Sequence, residues 1–586
     1  RFLAVVAEDD GARYLRAANR SDRNDYRIVS GTAPPAAGTI VWAAAKPGRR
    51  SLPAATIVET LGHMDEPNAI SALAIAEHDI PAEFPAEVVA EAQAARPTGL
   101  DGGRIDLRHL PLVTIDGADA RDFDDAVHAE PLADGGWRIT VAIADVAWYV
   151  RPGSPLDREA EKRGNSVYFP DRVVPMLPEA LSNDLCSLRP GEDRACMAAI
   201  MDFDAQGIKR KHRFVRGLMR SAARLVYEDV QAAIDGLPNE RTEPLLEPVI
   251  RPLYDAYAVL AAARSKRGPL ELEVAERVFQ MNADRTRITG VAPRARLDAH
   301  RLIEDFMIAA NVAAAETLTD RLAPCLFRVH DTPDPARVES LVGVLAEMGI
   351  KASPNAITRP SQFTELVRKA EGTDYAALVS ELVLRAQAQA VYHPENIGHF
   401  GLALARYAHF TSPIRRYSDL VVHRSLIQTL RLGSGGLPAD AGDRLHDVAA
   451  HISMTERRAA AAERQVQERF AAAYLEDQVG QVFTARVTGL HKAGVFVRVE
   501  EAGAEGLVPR ALLPDDFWDH DPGRHLLIGR RTGLEFRLGD ALEVVLRAAE
   551  PISGGLIFAA QVSASQPAPR GRPAKRGTFK RRGKRR

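Results

Sequence analysis

At 586 residues, 46% hydrophobic and 26% charged, the chain has the composition of an ordinary soluble globular protein with room for several domains, about four at roughly 150 residues each. No apolar run reaches the roughly 18 residues of a membrane span, and no leader-like segment opens the sequence, which argues against a membrane protein. The net charge of −2 hides an asymmetry: residues 566–586 hold ten Lys and Arg and no acid, so the body without them stands at −12, and an acidic body with a basic arm suggests a polyanionic partner.

Residues 1–65 carry short alternating apolar runs at 2–7, 26–29, 38–43 and 55–60, punctuated by Gly and Pro, and this pattern predicts a small β-barrel. Arg16, Arg49 and Arg50 give it some basic character; a structural cap and a nucleic-acid barrel both suit it. The chain begins at Arg1, without Met and inside what reads as a strand, as a truncated chain would. Residues 66–100 read as a helical linker. Residues 101–476 follow as one large mixed α/β domain, in which 137–144 reads as a strand pairing with 126–129 through the turn Asp134-Gly135-Gly136. Apolar spacing predicts helices over 298–318, 375–391 and 442–476. Residues 479–563 return to short strands and suit a small OB barrel, a fold that often binds single strands. There Phe483, His491 and Phe496 are candidate base-stacking residues, and each suits the barrel core equally well. Residues 564–586 read as a disordered basic tail. Cys186, Cys196 and Cys325 show no paired metal spacing, which fits a reducing cytoplasm.

The densest chemistry lies in residues 113–126, V-T-I-D-G-A-D-A-R-D-F-D-D-A. Asp116, Asp119, Asp122, Asp124 and Asp125 crowd five carboxylates into ten residues after an apolar run. Such charges repel and resist burial unless a cation neutralises them. In an extended segment Asp122 and Asp124 would point the same way. Taken alone, the cluster favours a solvated loop, with a site for hard divalent cations as the alternative. Further on, Asn165-Ser166-Val167-Tyr168-Phe169-Pro170 offers an aromatic face in a loop, and Glu304 sits on the 298–318 helix. Thr411-Ser412-Pro413 predicts a helix start that would carry Arg415 and Arg416 at its phosphate-favouring N-terminus. Nucleophile-elbow, P-loop, zinc-protease and EF-hand patterns are absent from the sequence.

The motifs T-I-D-G-A-D-A-R-D-F-D-D-A, V-Y-F-P with P-M-L-P and L-S-N-D-L-C-S-L-R-P, H-R-L-I-E-D-F-M-I-A-A-N and A-H-F-T-S-P-I-R-R-Y-S-D-L occur in that order. Over roughly residues 100–474 the chain closely resembles the RNB family of 3′→5′ exoribonucleases. The resemblance implies a multidomain fold in which small OB or cold-shock β-barrels flank a large mixed α/β RNB catalytic domain. It implies RNA as partner, Mg²⁺ (or Mn²⁺) as cofactor, and two-metal hydrolysis to nucleoside 5′-monophosphates by a cytoplasmic monomer. By position, Asp116, Asp122, Asp124 and Asp125 match the metal-holding aspartates, with Asp125 and Arg415 catalytic and Arg415 on the scissile phosphate. Tyr168 matches the tyrosine stacked on the 3′-terminal nucleotide, and Tyr227 and Glu304 match residues near the RNA end. Asp119 has no counterpart, and Leu272 stands near a position where the family often has an aromatic clamp. The basic tail favours the ribonuclease R branch, which degrades structured RNA. Room for one N-terminal barrel, where that branch usually has two, leaves a ribonuclease II-like enzyme confined to single strands as the alternative. A non-catalytic RNA-binding member is disfavoured because all four aspartates are present.

Overall fold

The computed structural model describes residues 1–561 except 20, 21, 23, 30–32, 47–52, 67, 273–276, 283–287, 523 and 524. Arg49, Arg50 and the basic tail at 564–586 lie outside the described residues. The chain divides into two compact units, one made of residues 1–470 with Ile552–Gly554 and the other of 471–551 with residues from Gly555 onward.

The first unit opens with a closed five-stranded barrel of Phe2–Asp9, Ala12–Ala17, Asp25–Ile28, Thr39–Lys46 and Ala54–His63. Strand alternation turns Ala4, Val6, Leu15, Val41, Ala43 and Ala55 into its interior. The strand Ala12–Ala17 escapes the apolar pattern because only Leu15 and Ala17 are buried in it, beside Arg13 and Arg16. Two short helices, Ala69–Glu77 and Ala86–Ala94, follow the barrel, and Ala69 and Leu73 of the first pack with its Leu3, Val5 and Ile40.

A seven-stranded mixed sheet then organises the unit, in the order Ala223–Val226, Val113–Asp116, Asp125–Pro131, Trp137–Ala144, Asp193–Phe203, Lys209–Arg220, Ile105–Asp106. In Asp193–Phe203 every residue after Asp193 is buried, and its middle, 195–201, reads as a continuous apolar run rather than an alternating one. The predicted hairpin forms with Ala126 opposite Ala142, and Gly135 supplies the positive φ of its turn. Behind the sheet the Asp298–Asp320 helix buries Leu302, Phe306, Ala310, Ala314 and Leu318 at helical spacing. The helix expected over 375–391 is confined to Ala376–Ala386; Gln387 turns extended, and Val391–His393 pairs as a strand with Phe327–Val329. The helix expected over 442–476 runs over Leu445–Leu475.

In the second unit Val482–His491, Gly494–Val499, Glu505–Pro509, Gly555–Ala560 and Ala541–Glu550 close a second barrel. A three-stranded sheet, Trp518–Asp521, Leu526–Gly529 and Glu535–Arg537, is added with Trp518 against Phe536. Among the described residues no helix is long and apolar enough to cross a membrane.

Candidate active site

The pairing of the sheet brings the aspartates together. Asp116 ends its strand and Asp125 begins the antiparallel neighbour, with Val113 opposite Val127, so both carboxylates reach the same sheet edge. On the other side Val226 pairs with Asp116 in parallel, and Tyr227 starts the Tyr227–Ile234 helix at that edge. Residues 117–124 lie outside any strand, so strand alternation does not set the directions of Asp122 and Asp124 as the sequence pattern suggested. Hydrogen bonds from elsewhere fix this loop. Ser187 Oγ accepts the Phe123 N–H (3.0 Å) and donates to the Arg121 carbonyl (2.8 Å). Arg224 donates to the carbonyls of Gly117 and Ala118, both at 2.7 Å. The Ala144 N–H holds the Asp124 carbonyl at 2.9 Å. None of these partners was legible as functional, because each works through the loop's main chain. We expect Ser187→Ala to weaken binding of a divalent cation at this loop by about 10–100-fold, the usual loss when a supporting hydrogen bond behind a ligand is removed; a metal-binding titration reads it directly.

Two remote segments close over the loop. Asp124, only 3% exposed, accepts the Ile414 N–H on Oδ1 (2.9 Å), and its Oδ2 lies 3.4 Å from Arg415 Nε. Asp122 Oδ2 accepts the Tyr168 hydroxyl at 3.1 Å, while the Tyr168 N–H donates to Glu463 at 2.9 Å. Tyr168 is placed by the end of the Pro155–Arg163 helix, where Gly164 has φ +74° and a Cβ would run into the Thr455 side chain. The Ser166 N–H donates to the Arg415 carbonyl (3.0 Å) and Asn165 bridges to Arg416, so the Tyr168 and Arg415 segments are zipped together. This bridge explains a difference from the expected helix start: Arg416 is held extended, and the helix begins at Tyr417 rather than at Thr411. Asp419 ties the intervening turn down, accepting from the Ser412 N–H and Arg416 Nη2, each at 2.8 Å.

The electrostatics identify a strained group of acids. Burial, then the charges of Asp125 and Asp122, push Asp116 up to about 8. Burial pushes Asp125 up to about 6, with Arg415 opposing, and drives Asp124 well above the usual carboxylate range. Oδ2 of Asp116 and Oδ2 of Asp124 are buried without a hydrogen-bond partner. Buried like charges with unfilled acceptors are stable only if protonated or neutralised by a cation. Among the described residues no three Asp, Glu, His or Cys side chains already form a cluster that could hold a metal ion. The four aspartates offer all-oxygen donors, and the buried, hydrogen-bond-free Oδ2 atoms of Asp116 and Asp124 suit a hard divalent cation by chemistry. Asp119 is exposed on the same loop.

The other predicted residues divide. The Tyr227 ring stacks on His300, with centroids 4.0 Å apart and planes 17° apart, so His300 joins the edge of the site unannounced by any motif role. Glu304, one turn further along that helix, pairs with Arg296 at 2.6 Å. Leu272 packs against the small helical core around Leu341, Phe363 and Val379. In the second unit Phe483 is a correction: it is buried, edge-on to Phe558 inside the barrel, and offers no face to a base. Phe496 is 38% exposed and His491 is exposed on the neighbouring strand, so both present surface.

Comparison with known proteins agrees with this layout. The RNB domain matches residues 104–432, the cold shock domain residues 15–85, and the S1 RNA binding domain residues 476–536. The chain is 42% identical to ribonuclease R of Escherichia coli over 516 residues, covering 86% of this chain and 63% of that protein. It is 38% identical to ribonuclease R of Thermotoga maritima over 520 residues, 87% of this chain and 73% of that one. Its fold matches the structure of Mycoplasma genitalium RNase R in complex with ribose-methylated single-stranded RNA, with a TM-score of 0.87 and 26% identity over 96% of this chain and 90% of that one. The chain spans 63% of the length of the E. coli relative and 60% of that from Vibrio parahaemolyticus. With its RNB match covering more than half of its length, and its aspartate loop, Tyr168 and Arg415 joined at one sheet edge, the chain belongs to the RNB family.

Proposed function

We propose that the chain is a 3′→5′ exoribonuclease that shortens RNA, structured RNA included, by releasing nucleoside 5′-monophosphates. The observation that carries this reading is the convergence of Asp116, Asp122, Asp124 and Asp125 with Tyr168 and Arg415, from segments some 290 residues apart for Asp124 and Ile414. A divalent cation, Mg²⁺ or Mn²⁺, held by the four aspartates supplies activation of water and neutralisation of phosphate charge. Arg415 offsets charge that develops on the scissile phosphate, a role supported by its position beside Asp124. Asp125, at the start of its strand, is fixed by the sheet rather than by a flexible loop. Tyr168, 39% exposed, keeps a ring face for the terminal base while its hydroxyl is anchored on Asp122. Tyr227 on His300, with Glu304 a turn away, supplies a second wall for the terminal sugar. His491 and Phe496 on the S1 barrel present surface for upstream bases.

The three cysteines are buried free thiols, in keeping with a reducing cytoplasm.

The exonuclease reading is tested with circular and linear RNA of one sequence. We expect the linear form to be degraded from its 3′ end and the circle to survive; cleavage of the circle would contradict it. A duplex with a 3′ overhang separates the branches, because stalling several nucleotides before the duplex indicates a single-strand-confined enzyme. Tyr168→Ala should remove one stacking contact, worth about 1–3 kcal/mol, and so raise KM for short oligonucleotides roughly five- to 150-fold with the fold intact.

A further inference from the structure

A cavity of about 620 Å³ lies between the start of the Lys209–Arg220 strand, the C-terminal half of the Arg251–Arg267 helix and the Asp298–Asp320 helix. None of the residues assigned above to RNA hydrolysis lines it. Its walls are apolar, formed by Ile208, Leu260, Ala263, Ile308 and Val312. Its charged lining holds five cations, Lys209, Arg210, Lys211, Arg264 and Arg267, and two acids, Asp305 and Glu316. In a body that is otherwise acidic, this is a local excess of cations.

Internal pairing accounts for part of that charge. Lys209 pairs with Glu316 at 2.6 Å, and Arg264 with Asp305 Oδ1 at 2.9 Å. Arg210 pairs with Asp134 and Lys211 with Asp202, two acids that do not line the cavity. Arg267 donates Nε to the Leu402 carbonyl at 3.1 Å and pairs with no carboxylate among the described residues. The Asp305 side chain is only 5% exposed, yet its Oδ2 has no hydrogen-bond partner, and neither has Arg264 Nε. An unpartnered buried carboxylate oxygen is costly unless a donor meets it, and burial already pushes Asp305 up to about 6.

A ligand that suits this cavity must bring a hydrogen-bond donor to Asp305, an apolar flat body for the walls and an anion for Arg267. We propose that the cavity binds a free nucleoside monophosphate, with a base or sugar donor on Asp305 Oδ2, the ring between the Leu260 and Ile308 walls, and the phosphate at Arg267. The volume lies within the range of small-molecule sites, about 300–1,000 Å³. The proposal is independent of the nuclease reading, because no residue is shared between the two sites.

The probe is AMP, titrated calorimetrically without divalent metal into the full chain carrying Asp125→Asn and Tyr168→Ala, which disable the aspartate site. The expected result is saturable binding near one AMP per chain. Arg267→Glu on the rim and Ala309→Trp as a plug should each weaken it by at least about tenfold, with melting curves confirming that both variants fold. Adenosine and inorganic phosphate should each bind at least about tenfold more weakly than AMP. Equal binding of inorganic phosphate, AMP binding unmoved by Arg267→Glu, or binding of a single-stranded oligonucleotide but not of AMP at this cavity would each overturn the proposal.

Discussion

Asp125→Asn is expected to lower RNA hydrolysis by on the order of 10³-fold while leaving the metal-free protein at least as resistant to heat as the parent. The two halves of this expectation share one cause. Asp125 is buried beside Asp116, and burial raises both carboxyls, to about 6 and about 8. A carboxyl whose pKa is higher folded than unfolded contributes stability that is complete below its unfolded value, near 4. That stability is lost as pH rises through the folded value. The metal-free parent should therefore lose stability steadily between about pH 4 and pH 8. Asn cannot ionise, and its presence relieves Asp116 of a neighbouring charge, so the variant's melting temperature should change less over that window. Added Mg²⁺ should stabilise the parent more at pH 8 than at pH 6, and the variant less than the parent at either pH. Melting curves across pH, with chelator and with Mg²⁺, check each part. Full activity in the purified variant would remove Asp125 from the reaction.

Asp145→Ala should cause the largest loss of stability, about 3–5 kcal/mol, or on the order of 10 °C in the first melting transition. Asp145 directly follows the strand Trp137–Ala144 and accepts Arg104 Nη2 at 2.7 Å and Arg216 Nη2 at 2.9 Å. All three side chains are at most 3% exposed. The Trp148 ring packs beside both guanidinium groups, with Arg104 at 4.3 Å and Arg216 at 5.7 Å. Removing the carboxylate strands two buried cations, which is far worse than losing the attraction of an exposed pair. Asp145→Asn retains one acceptor and should cost less. The neighbouring Ala144 N–H holds the Asp124 carbonyl, so activity in Asp145→Ala should also fail at a lower temperature than in the parent. A loss below about 1 kcal/mol would show that solvent reaches the two arginines.

The parts of the site that were legible in the sequence are side chains in long, specific motifs. Asp116, Asp122, Asp124, Asp125, Tyr168 and Arg415 occupy motif positions, and the sheet edge gathers them. Tyr227 reaches the same edge because its strand pairs in parallel with that of Asp116. The scaffold around them was not legible, because it depends on main-chain groups and remote pairing. Nothing near Ile414 announces that its N–H will meet Asp124, and nothing local to Arg416 announces the bridge to Asn165 that delays the helix. Ser187 lay in a motif already singled out and Arg224 three residues before Tyr227, but their hydrogen bonds to loop carbonyls leave no trace in residue type. Phe483 was ambiguous for a different reason. In Val482–His491 the alternation of buried and exposed positions puts Phe483 on the inner face with Ala485 and Val487, and only the closed barrel decides which face is inner. The Trp518–Asp521, Leu526–Gly529 and Glu535–Arg537 sheet escaped notice because short strands rich in charge, such as W-D-H-D, carry little apolar pattern.

The most direct measurement follows nucleotide release from 5′-labelled single-stranded RNA as Mg²⁺ is titrated, with products identified by mass spectrometry, in the parent and in Asp125→Asn. The predicted result is stepwise shortening from the 3′ end, nucleoside 5′-monophosphates as product, dependence on Mg²⁺, and near-complete loss in the variant. RNA that is bound but never shortened at any Mg²⁺ concentration, or shortened equally by the variant, would contradict the assignment of the aspartate loop as the hydrolytic centre.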